Sequence, residues 1–113
     1  MKNSKEYNSS RKGDIAEHYA VSWLWEQGYE VFKNCGATGV IDIVVVNKEN
    51  KIILIDVKTI HEYSNGHSTI KKTRTPKQIE LGVVLLGYLP ETNECRWIKH
   101  HDKSNVEQLQ LAI

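Results

Sequence analysis

The chain has 113 residues, room for one domain around one core and too few for two. Hydrophobic residues make up 40% and charged residues 26%, a balance that excludes a disordered tail and matches an ordinary globular protein. The net charge is +1, with 15 basic and 14 acidic residues, which is too little to hold nucleic acid by bulk charge alone. The longest apolar run, Val40 to Val46, is interrupted by Asp42, so nothing approaches the roughly 20 residues of a membrane span. The polar, basic start of the chain carries no secretion signal, and the expected location is cytoplasmic. Cys35 and Cys95 lack metal-type spacing and read as buried or semi-buried free thiols.

Residues 1–10 read as a loose arm within a single domain spanning 1–113. From Asp14 to Gln27 the apolar positions Ile15, Ala16, Tyr19, Ala20, Trp23 and Leu24 recur with a period near 3.6, which predicts a helix that Gly28 stops. Strands are predicted at 29–35, 40–47 and 51–58, the last two joined by Lys48-Glu49-Asn50. A polar segment from His61 to Thr73 follows, expected to be mobile or partner-dependent. Thr75-Pro76 caps a short helical turn through Gln78 and Glu80. Further strands are predicted at 82–89 and 94–99, and residues 104–113 are weakly helical. The fold class is therefore α/β: a mixed five-stranded sheet flanked by helices.

The segment GVIDIVVVNKENKIILIDVK, residues 39–58, holds the chemistry. Its three-residue loop suits a type I turn followed by a left-handed Asn50, and this places Asn47 opposite Lys51. Counting outward, Asp42 falls opposite Asp56, with Lys58 on the same face. Two carboxylates side by side in an apolar sheet repel and desolvate each other unless a cation lies between them. Oxygen ligands suit Mg²⁺, or Mn²⁺ as its substitute. The plainer reading, Lys58 neutralising one Asp in a buried ion pair, leaves the second carboxylate unexplained.

Other polar residues are less decided. Glu17 sits at the edge of the helical stripe, and its spacing from Asp14 is that of a capping box, which the residues alone favour. Lys71, Lys72, Arg74 and Lys77 form one basic cluster and the N-terminal lysines another. Either cluster is a phosphate contact or a solvated surface. Trp23 and Trp97 read as core; Trp25 points away from the stripe, toward a dimer interface or the arm.

Three motifs, Lys12-Gly13-Asp14-Ile15-Ala16-Glu17, Gly39-Val40-Ile41-Asp42 and Ile55-Asp56-Val57-Lys58, resemble those of the PD-(D/E)XK nuclease superfamily. Within it the chain is similar to the small archaeal Holliday-junction resolvases and related intron- and phage-encoded endonucleases. The likeness runs from residue 11 to about 98 and departs in having Ile41 where the proline would stand, and in the long polar segment after Lys58. It implies a restriction-endonuclease-like core and Mg²⁺-dependent hydrolysis of DNA by Glu17, Asp42, Asp56 and Lys58. The metal ligands would be Asp42, Asp56, the Val57 carbonyl and Glu17. DNA contacts are expected from Lys12, Lys71, Lys72, Arg74, Lys77 and, by analogy with a glutamine some members carry, Gln78. Cutting two opposed strands of branched DNA implies a homodimer. A sequence-specific duplex endonuclease and a non-catalytic DNA-binding module on the same fold are the competing expectations.

Overall fold

The hairpin of residues 39–58 is the middle of the described structure, with strands added at its two edges and apolar clusters on both faces. The computed structural model describes residues 4–36, 39–62, 68–69 and 74–99; Lys71, Lys72 and the tail 104–113 lie outside them, as does most of the polar segment. Helix α1 (Ser4–Glu26) is followed by β1 (Glu30–Lys33), β2 (Ile43–Val46) and β3 (Ile52–Thr59), then a two-strand ribbon of β4 (His61–Glu62) and β5 (Ser68–Thr69). Helix α2 (Pro76–Leu81), β6 (Val84–Leu89) and β7 (Glu94–Ile98) complete the order.

The main sheet runs β1-β2-β3-β6-β7. All neighbours are antiparallel except β3 and β6, which are parallel. A parallel pair requires the chain to cross back over the sheet, and among the described residues of 60–83 the helix in that crossing is the short α2. The hairpin register is the one inferred above, with Ile43 opposite Ile55 and Val46 opposite Ile52. Asn50 takes the left-handed conformation (φ 66°), and the Asn47 side chain accepts from the amides of Glu49 and Lys51, locking the loop.

Alternation sorts the hairpin into two faces. Ile43, Val45, Ile53 and Ile55 join Val84 and Leu86 in packing beneath Ala20 and Leu24 of α1. Trp23 meets Trp97 edge-on at 5.9 Å between ring centres, so both aromatics belong to this layer. The opposite face carries a smaller cluster of Ile60, Leu85, Leu89 and Ile98. Trp25 is exposed, at 65% of its surface. Among the described residues no helix is long and apolar enough to cross a membrane.

Helix α1 begins at Ser4, so residues 4–10, expected as a loose arm, are helical. Polar residues give no periodic signal, but a helix nucleated by a packed stripe extends at little cost per residue. Asp14 consequently lies inside the helix, and the capping-box reading of Asp14 with Glu17 does not apply. Gly28 ends the helix as predicted, at φ 96°. Cys35 is exposed, against expectation, because β1 ends at Lys33 and leaves it in the following bend; Cys95 is half-buried.

Two residues expected at the DNA surface are interior. Arg74 is 2% exposed and its Nη1 donates to the Val83 carbonyl at 2.8 Å. Gln78 is 5% exposed: its Oε1 accepts from the Thr75 amide while the Thr75 hydroxyl accepts from the Gln78 amide, a capping box on α2. Both tie the short crossover to the body, where a buried polar group must find partners.

Gly87 lies under Ile60: a Cβ there would sit 2.1 Å from the Ile60 Cδ1. Gly87→Ala is therefore expected to lower stability by about 1–3 kcal/mol, the usual range for overpacking a core. In a double-mutant cycle by chemical denaturation, Ile60→Val should recover part of that loss. Strict additivity would show that the contact is not the cause.

Candidate active site

The regular ladder of the hairpin stops one residue short of Asp42. The Asp42 amide donates to the carbonyl of Ile55, which is the partner of Ile43, so two successive residues address one residue opposite. Such a bulge re-aims the side chain it carries. The chain before it is held from three directions. Asn34 donates its amide to the Asp42 carbonyl (2.8 Å) and its side-chain amide to the Ile41 carbonyl (2.8 Å). The Gln78 Nε2 donates to the Val40 carbonyl at 3.0 Å. On the third side the Val57 amide donates to Asp42 Oδ2 at 2.8 Å.

This sets Asp42 close enough to Asp56 for the second carboxyl to raise the pKa of the first. Lys58, two residues along the strand, lies with its Nζ 3.2 Å from Asp56 Oδ2. That is ion-pair distance, yet Asp56 Oδ2 is buried and receives a properly directed hydrogen bond from no described donor. Burial, then the hydrogen bond to Asp56, push the Asp42 carboxyl up to about 7; the Val57 amide opposes the rise, and the charges of Asp56 and Glu17 add to it.

The donor set fits a hard divalent cation. It consists of two carboxylates, one with an unsatisfied buried oxygen, and the N–H and C=O of a strand residue point to the same side, which directs the Val57 carbonyl toward Asp42 as well. Among the described residues no three His, Cys, Asp or Glu side chains converge as a ready-made cage. An ion held by Asp42 and Asp56 would complete its shell with carbonyl, water or substrate oxygens, as Mg²⁺ commonly does.

Glu17 stands apart from this pair, half-buried on α1 and ion-paired to Lys33 Nζ at 3.3 Å. Both line an open cleft of about 420 Å³ between α1 and the end of β1. Neither Asp42 nor Asp56 is among the residues that line it. Lys12 and Lys77 are exposed on α1 and α2, as phosphate contacts would have to be. Sequence reasoning missed Lys33 and Asn34. The hairpin count, extended by one strand, finds Lys33 beside the residue after Asp42.

The raised Asp42 pKa has a defined effect on metal-free stability. The folded protein keeps a proton that the unfolded chain gives up near the ordinary value of 3.8, so this contribution is favourable at low pH and is lost as pH rises toward about 7. In EDTA the denaturation midpoint of the native protein should therefore fall relative to Asp42→Asn as pH climbs through that window. A gap that stays constant, or moves the other way, would show that Asp42 ionises normally.

The fold has a known counterpart. A bacterial homing endonuclease has a similar fold, with a TM-score of 0.64 at 20% identity over 80% of this chain and 68% of that one. A UPF0102 protein of Aliarcobacter butzleri (strain RM4018) is 34% identical over 71 residues, 61% of this chain. The match spans 64% of that relative's length. A family model described as archaeal Holliday junction resolvase (hjc) matches residues 8–81, well over half of the chain. That stretch contains Glu17, Asp42, Asp56 and Lys58, and the chain belongs to this resolvase family.

Proposed function

We propose that this protein is a metal-dependent DNA endonuclease that hydrolyses phosphodiester bonds, with branched DNA as its preferred substrate. The observation that carries the reading is the closeness of two carboxyl groups, Asp42 and Asp56, on a strand where Lys58 is the cation at ion-pair distance from Asp56 and gives its buried Oδ2 no directed hydrogen bond. As a structural ion pair the arrangement has one carboxylate too many. As a cation site it is balanced. Family membership supports the DNA substrate and the preference for junctions.

Asp42 and Asp56 would hold Mg²⁺ or Mn²⁺, with the Val57 carbonyl as a further oxygen and Glu17 acting from the cleft side. A divalent ion there lowers the pKa of a water and offsets the charge that builds on the phosphate oxygens. Lys58, half-exposed and next to Asp56, orients the attacking water and donates to the crowded phosphorus oxygens as charge develops on them. The Val57 amide fixes the Asp42 carboxylate, so that ligand need not reorganise during the reaction. Lys12 and Lys77, together with Lys71 and Lys72, would contact phosphates away from the cut. Two cuts on opposed strands require two sites, so the active form is read as a homodimer.

Asp56→Asn and Lys58→Ala should each reduce cleavage in Mg²⁺ by at least about a hundred-fold, with circular dichroism unchanged. Wild-type rates from either variant would overturn the assignment. A salt-controlled panel of four-way junction, flap, single-stranded and plain duplex DNA tests the substrate: equal cleavage of junction and duplex would sink the junction preference. Calorimetry without Mg²⁺ or Mn²⁺ binding would favour a non-catalytic module instead.

A further inference from the structure

We propose that Lys33 is a positioning residue exchanged between Glu17 and a DNA phosphate. In the free protein it holds the Glu17 carboxylate on the cleft side, apart from Asp42 and Asp56. A phosphate entering the cleft takes over the lysine and releases Glu17 toward the metal. The inference rests on the cation-site reading of the Asp42–Asp56 pair given above.

Lys33 is one strand step from the chemistry: its Cα is the partner of Ile43, the residue after Asp42, and the amide of the next residue, Asn34, donates to the Asp42 carbonyl. Its ammonium group pairs with Glu17 at 3.3 Å inside the cleft that the two share with Asp14 and Asn34. Glu17 is close enough for its charge to raise the Asp42 pKa, yet it does not join the two aspartates in a ligand cluster. Three carboxylates without a cation would repel one another, and a lysine on the outermost of them relieves that repulsion while keeping it out of the cation site.

The pair also has the right strength to be exchanged. The Lys33 and Glu17 side chains are 43% and 27% exposed, and an ion pair of that kind is worth little in water. A phosphate offers the ammonium a charge-assisted bond of comparable or greater strength. The cleft is open, so a DNA strand can reach Lys33 without the core moving.

The test uses the full chain and two probes. Mn²⁺ binding to the DNA-free protein, followed by electron paramagnetic resonance, should tighten in Lys33→Gln by up to about five-fold, the ceiling an exposed ion pair sets. The gain should largely vanish in a Glu17→Gln background, since a mere change of net charge would act in both. In EDTA, binding of a short labelled duplex by Lys33→Gln should show a log–log salt slope shallower by about one phosphate contact. Asp42-dependent Mn²⁺ binding that ignores Lys33→Gln, or that responds equally with and without Glu17, overturns the exchange alone, as does an unchanged salt slope. Absence of Asp42-dependent Mn²⁺ binding overturns both the exchange and the cation site it rests on.

Discussion

Two carboxyl groups are forced together where an apolar hairpin breaks its own ladder, and most of the structure near that point can be understood as what keeps them there. Asp42 leaves the regular register, sends its amide to Ile55 and takes the Val57 amide on its carboxylate. A half-buried, crowded acid of this kind costs free energy in the metal-free protein, as its raised pKa reports. Asn34 on the β1 side and Gln78 from the crossover hold the carbonyls of residues 40–42.

The crossover is shaped by the same need. A connection between parallel strands is usually built on a full helix; among the described residues here the helix is the short α2, capped at Thr75 and closed by Gly82 in the left-handed conformation. So short an element cannot hold itself in place through an apolar stripe. Buried polar side chains do it instead: Arg74 reaches the Val83 carbonyl, and Gln78 both caps the helix and reaches across to Val40. Below them Ile60 fills the space over Gly87, sealing the face of the sheet on which Asp56 and Lys58 stand.

Surface charge then acquires a more local meaning than the near-neutral composition suggests. Arg74, part of the densest basic run in the sequence, is structural. Lys33, which belongs to no run, lines the cleft with Glu17.

The sequence by itself determined the faces of the hairpin and its register as far as Ile43 and Ile55, and with them the placing of Asp56 and Lys58 on one face. These follow from strict alternation and from the loop Lys48-Glu49-Asn50, both local properties of the chain. The stripe of α1 and the cap of α2 were legible for the same reason. The bulge at Asp42, the interior placement of Arg74 and Gln78 and the pairing of Glu17 with Lys33 were decided only by the tertiary structure. Each depends on a partner distant in sequence, and a polar side chain carries no periodic mark of whether that partner is water, a backbone carbonyl or another charge.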